Sequence, residues 1–148
     1  MKKLLGIITI VLLFLSNVNA NERENKLNNL FKQLKNSEAS SAVKIENKIW
    51  KIWSTHPSNN DKGLNLTKLL AQGSFLMSGK ELNKAYEIFS QIILTDPSWS
   101  EAWNKRATVL YLLGRYEQSQ KDIDEVLKLE KRHFGALSGQ GLVQIELK

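Results

Sequence analysis

The sequence predicts an all-α fold, a stack of antiparallel helix pairs with about seven helices after residue 20. Three observations predict it. Positions 34 residues apart match in size: Trp103, Ala107 and Leu110 pair with Leu69, Gly73 and Leu76. The second helices match in the same way, Ser119, Ile123 and Val126 pairing with Ala85, Phe89 and Ile92. Self-similarity at a fixed period marks a repeat architecture. Apolar residues also recur at spacings of three and four, which places them on one face of a helix. Finally, Pro57, Gly79, Pro97 and Gly114 punctuate these stripes where helices should stop.

Residues 1–20 read as a secretory signal peptide and lie outside the predicted fold. Lys2 and Lys3 precede an apolar run from Leu4 to Leu15, followed by small and polar residues with Val18 and Ala20 placed for cleavage. The run has 12 residues, whereas a spanning helix needs about 20. Export to the periplasm is therefore expected, ahead of secretion or an N-terminal anchor, with no stable membrane insertion after cleavage.

Composition narrows the function classes. A hydrophobic content of 42% is ordinary for a soluble fold. The lack of cysteine excludes disulfides and thiolate metal sites. The net charge is +6, but basic and acidic residues are interspersed, as in Lys121-Asp122-Ile123-Asp124-Glu125. No basic stripe with interleaved aromatics suits nucleic acid.

Residues 21–57 read as a degenerate helix pair. Asn21 and Glu24 suggest a capping box, and Leu27, Leu30, Phe31 and Leu34 form one stripe. Ser37 is the expected cap of a second helix carrying Ile45, Ile49, Ile52 and Trp53. Trp50 and Trp53 are either core or an interface anchor. Residues 58–65 (SNNDKGLN) read as a linker rich in turn residues. Residues 66–97 form the first clear repeat, with a helix to about Ser78 and a second carrying Ala85, Ile88, Phe89, Ile92 and Ile93. Ser98 and Glu101 suggest the next capping box, opening repeat two at 98–131. Residues 132–148 read as a terminal half-repeat with Leu137, Gly141 and Leu142 inward.

The unit SWSEAWNKRATVLYLLGRYEQSQKDIDEVLKLEK resembles one tetratricopeptide repeat (TPR), a family built on a 34-residue helix–turn–helix unit. The match rests on Trp103, Ala107 and Leu110 in the first helix, Gly114 and Tyr116 in the turn, and Ser119 and Ile123 in the second helix. Lys131 stands where the family usually has proline, and Gly79 lies one position off the turn glycine. The resemblance implies a right-handed superhelical solenoid that binds other proteins along a concave face lined by first helices. Leu70, Ser74, Met77, Asn104, Lys105, Thr108, Tyr111 and Leu142 are the expected groove residues. They would offer apolar spots and hydrogen-bonding groups to an extended or helical segment of a partner. The chain lacks the full Lys, Asn and Arg set with which some TPR proteins grip a C-terminal carboxylate.

Two further readings come from other classes. A self-associating scaffold is compatible with so short a stack, since about three repeats are usually needed for stability. A small metal enzyme would need His56 and His133 to converge with carboxylates. No nucleophile elbow, HExxH or phosphate loop is present. The expectation is a non-catalytic module with no cofactor, a protein or peptide partner, no nucleic acid and room for a homo-oligomer.

Overall fold

The computed structural model describes residues 21–148; the expected signal peptide lies outside the described residues. Seven helices occur among the described residues, with no strand. They are α1 (21–35), α2 (Ala39–Trp53), α3 (Asp61–Ser78), α4 (Leu82–Thr95), α5 (Ser100–Leu112), α6 (Tyr116–Leu129) and α7 (Phe134–Glu146). The chain divides into two compact units, ending and beginning at Leu64 and Asn65.

In the first unit the apolar stripes of α1 and α2 face inward. Leu27, Leu30, Ile45, Ile49 and Trp53 are buried. Trp53 is core rather than surface: its ring lies 6.0 Å from Phe31 and 5.5 Å, edge-on, from Trp50. The expected caps do not form. Asn21 is already helical. Ser37 Oγ donates to the Leu34 carbonyl at 2.9 Å, finishing α1 instead of starting α2. Arg23 closes the C-terminal end of α2, donating to the carbonyls of Ile52 at 2.6 Å and Thr55 at 3.1 Å.

The expected linker is shorter than 58–65, because α3 is helical from Asp61. Asn60 Oδ1 accepts from the Gly63 amide at 2.9 Å, an N-terminal cap. Gly63 is required there, since a Cβ would sit 2.0 Å from the Ser58 carbonyl oxygen. The Asn, Asp and Gly that read as a loop are thus a cap and a tightly packed first turn.

In the second unit each helix of α4 to α7 packs against the next, and α5 also meets α7. Short turns between packed neighbours make them antiparallel. Leu66 and Leu70 of α3 share one core with Ala85, Phe89 and Ile92 of α4 and with Trp99, Ala102 and Val109. Ala107, Ile123, Val126, Ala136 and Val143 form the next. The small positions have the expected use. A Cβ on Gly73 would lie 2.6 Å from Phe89 Cε1, so only glycine lets that ring reach α3. Ser119 is fully buried, and its hydroxyl donates to the Ala107 carbonyl at 2.8 Å.

The two turns are the same structure despite different residues. In one, the amides of Gly79, Lys80 and Glu81 reach the carbonyls of Phe75, Met77 and Leu76; in the other, those of Leu113, Gly114 and Arg115 reach Val109, Tyr111 and Leu110. The longer-range bonds satisfy carbonyls that a helix end would leave open. Gly114 takes φ +72° and Lys80, one repeat earlier, takes φ +62°. The displaced Gly79 therefore does not change the turn: Lys80 adopts the left-handed conformation in its place.

A side-chain clasp ties three helices together. Arg106 of α5 donates to Asp122 of α6 from Nε at 2.7 Å and from its terminal nitrogen at 2.8 Å. Its other terminal nitrogen donates to Ser90 of α4 at 3.1 Å. The guanidinium also lies over the rings of Trp103 and Tyr86, at 5.0 and 5.6 Å. Hydrogen bonding to Asp122 outweighs burial, which acts the other way, and raises the Arg106 pKa.

Candidate functional site: a pocket between α5 and α7

A pocket of about 190 Å³ opens between α5 and α7, with part of α6 beneath it. Asn104, Thr108 and Tyr111 form one wall; Gly135, Ser138, Gly139 and Leu142 form the other; Ser119 and Ile123 lie at the base. Its existence follows from residue size. A Cβ on Gly139 would be only in ordinary contact with Ile123 Cδ1, at 3.5 Å, so the space beyond it is left open by the absence of a side chain. Tyr111 is held half-buried, its ring 5.5 Å from that of Tyr116.

A buried polar cluster fixes the far end. His133 and Glu101 are fully buried. The Ala136 amide donates to His133 Nδ1 at 3.2 Å, capping α7. That leaves Nε2 to carry the proton, and it meets Glu101 Oε2 at 2.9 Å. Asn104 Nδ2 donates to the same oxygen at 3.2 Å, and Lys105 Nζ lies 3.3 Å from Oε1. One carboxylate thus joins the first turn of α5 to the start of α7 and sets their separation, satisfying the rule that buried charge is paired. The expected Ser98–Glu101 capping box is absent. Ser98 bonds to Asp96 through both its amide and its hydroxyl, at 2.9 and 2.6 Å, and Glu101 turns inward instead.

Of the expected groove residues, Asn104, Thr108, Tyr111 and Leu142 are brought together here. Lys105 does not line the pocket; it is engaged with Glu101. Leu70 is a correction: it is 2% exposed and belongs to the core. Ser74 is half-buried with its hydroxyl on the Leu70 carbonyl at 2.8 Å, and Met77 packs against the same core. The buried positions of α3 are Gly63, Leu66, Leu70 and Gly73, one stripe at spacings of three and four, and Leu70 lies on that stripe rather than on a groove face.

The last helix is a second correction. Leu137 and Leu142 are 48% and 47% exposed, while Ala136 and Val143 are buried. Leu137 and Gly141 match the positions that, in complete repeats, meet the unit's own second helix. Among the described residues no such helix follows α7, so only the face toward α5 and α6 is covered. The sequence signal missed at the pocket was the run of small residues at 135, 136, 138 and 139, spaced to leave one side of α7 bare.

His56 and His133 bond to different partners, His133 to Glu101 at 2.9 Å. His56 Nδ1 accepts from the Ser58 amide at 3.1 Å within its loop. No group of three or more potential metal ligands exists among the described residues.

Helix pairs of this period, with a small residue at the crossing and a left-handed residue closing each turn, define a TPR-like class of all-α protein. A curated protein of Rhizobium etli named "TPR repeat-containing protein" is 36% identical over 120 residues. The alignment takes in 80% of this chain and 56% of that protein, so the chain spans little more than half its relative's length. No family model matches the chain. The TPR resemblance read in the sequence therefore stands: this is a TPR-like protein, a class whose general role is protein–protein interaction.

Proposed function

We propose that this chain is a non-catalytic adaptor of the bacterial cell envelope that holds a segment of another protein against the α5–α7 face. The observation that carries this reading is the preformed pocket, with an amide, hydroxyls and a half-buried tyrosine around a base of Ser119 and Ile123. A pocket this small takes one side chain, and the flanking first helices supply the rest of a helix-in-groove or extended contact. The apolar run at residues 4–15 supports export, with the periplasm as the location. No described helix is long and apolar enough to cross a membrane.

The test is capture. Full-length protein as bait, crosslinked in envelope extract, should retain a discrete partner that Gly139→Leu loses, because the leucine fills the pocket. Circular dichroism would confirm that the variant is folded. Equal capture by both baits would contradict the groove reading.

A second reading, self-association, is favoured by one observation. Leu137, Leu142 and Ile145 leave α7 with a largely apolar exposed face, Ile145 being 68% exposed. Such patches mark interaction surfaces. Light scattering over a concentration series decides: a monomer throughout excludes it.

A further inference from the structure

The first unit holds a larger cavity than the second. It measures about 720 Å³ and is lined by one face of α1, one face of α2 and the loop that follows. That volume lies within the usual range of ligand-binding pockets, about 300–1,000 Å³. It greatly exceeds what a small inorganic anion fills.

Its lining is asymmetric in charge. Arg23, Lys26, Lys48 and Lys51 contribute cations, and Glu22 is the one carboxylate. Lys26, Lys48 and Lys51 are exposed, and none of the three is ion-paired among the described residues. Arg23 is a fixed wall, pinned to the C-terminal carbonyls of α2 by its two bonds. Burial lowers its pKa, and the charge of Glu24 acts the other way. Between the cations lies an apolar strip of Leu30, Ile52 and Pro57. The spacing on the helices is regular: positions 22, 26, 29, 30 and 33 on α1 and 48, 51 and 52 on α2 face one cleft, with Thr55, Pro57 and Asn59 of the following segment at its edge. Basic rims around an apolar strip complement a segment that is acidic on its flanks and apolar along its centre.

We propose that this cleft between α1 and α2 is a second docking site, taking an acidic amphipathic helical segment of a partner protein. Its apolar side chains lie on Leu30, Ile52 and Pro57, and its carboxylates meet Lys26, Lys48 and Lys51. The site is independent of the α5–α7 pocket, because every lining residue belongs to the first unit. The cleft is concave, with a volume of about 720 Å³, which favours a protruding helix over the flat surface of a membrane.

The test uses full-length protein and a rhodamine-labelled synthetic helix carrying Leu at positions i, i+4 and i+7, flanked by Glu. A control peptide has Gln for each Glu. Binding is read by fluorescence anisotropy. The acidic peptide should bind, and the Gln peptide should bind at least about tenfold more weakly. Raising salt from about 50 to about 200 mM should weaken the acidic peptide, since exposed charges are screened. Lys48→Glu with Lys51→Glu changes two exposed residues and should preserve the fold, checked by circular dichroism, while reducing affinity at least about tenfold. Gly139→Leu should leave this binding unchanged, which separates failure here from failure of the α5–α7 reading. The proposal is overturned by no binding of the acidic peptide, by equal affinity of the lysine variant, or by equal affinity of the Gln peptide. It is also overturned if the site recognises only vesicles of phosphatidylglycerol and not the peptide.

Discussion

Replacing Arg106 by Met tests what joins successive repeats. Arg106 holds both carboxylate oxygens of Asp122, at 2.7 and 2.8 Å, and reaches Ser90 at 3.1 Å. The Asp122 side chain is 6% exposed and that of Arg106 18% exposed. Methionine fills much of the same volume but leaves Asp122 without its guanidinium. Removing one member of a buried pair costs about 3–5 kcal/mol. The partial exposure of Arg106 lets water reach the stranded carboxylate, so the lower end applies, about 3 kcal/mol. For a unit of this size about 1 kcal/mol moves Tm by roughly 4–8 °C, which makes the expected drop roughly 12–24 °C. Changing both residues, Arg106→Met with Asp122→Leu, should recover most of that loss, because an apolar pair leaves no unpaired charge. Urea and thermal melts of the wild type, both single variants and the double variant close the cycle. If Arg106→Met costs under about 1 kcal/mol, or the two losses simply add, the clasp is not what couples α4, α5 and α6.

Three other predictions follow from particular positions. Gly73→Ala should destabilise by about 1–3 kcal/mol through overpacking against Phe89, whereas Gly141→Ala should stabilise by about 0.5–1 kcal/mol. Nothing lies within 4 Å of a Cβ at Gly141, and a stabilised Gly73→Ala in denaturant melts would refute the crossing described for α3 and α4. Gly114→Ala should cost about 1–2 kcal/mol for its left-handed φ alone, since its Cβ would also meet nothing within 4 Å. Lys80→Gly should stabilise by about 0.5–1 kcal/mol by relieving the same conformation; a neutral result at both positions would deny the shared turn. The last concerns pH. Burial would push the Glu130 carboxyl up, but hydrogen bonds from the Arg132 side chain and amide, with the Arg132 charge, hold it below its ordinary value. Its stabilisation is therefore present above the ordinary carboxylate range and is lost as pH falls through the lowered folded value. Glu130→Gln should lower stability near neutrality, and the difference from wild type should shrink in melts between about pH 5 and about pH 3; a constant difference would contradict the assignment.

Much of this architecture was legible because helix pairing is written in size and period. Trp103, Ala107, Ile123 and Val126 could be placed from a 34-residue step, and the structure packs them accordingly. What local chemistry suggested was less secure. Ser98 and Glu101 had the spacing of a capping box, but Trp99 precedes α5, and Glu101 found better partners in His133 and Asn104, one of them 32 residues away. Ser37 finished one helix instead of starting the next, and residues 61–65 of the turn-rich segment are helical behind the Asn60 cap. Such choices depend on long-range contacts that no local pattern records. The last helix shows a different limit: the period names Leu137 as a position facing a second helix, yet among the described residues it stays 48% exposed. At the candidate site, Asn104, Thr108, Tyr111 and Leu142 were readable from the first-helix face. Leu70 was not, because its burial depends on how far α4 and the start of α5 wrap around α3. The apolar strip between α1 and α2 was invisible in sequence, since Leu30 and Ile52 look like any other core residues.

The central claim is that the α5–α7 face holds a partner segment. Site-specific photocrosslinking tests it most directly. A photoreactive amino acid would replace Thr108 or Ser138 at the pocket, or the exposed Lys121 on α6, in protein expressed with its N-terminal residues intact. The account predicts one discrete heterologous adduct from positions 108 and 138, its loss on adding Gly139→Leu, and none from position 121. Adducts from position 121 alone, or adducts unaffected by filling the pocket, would contradict it.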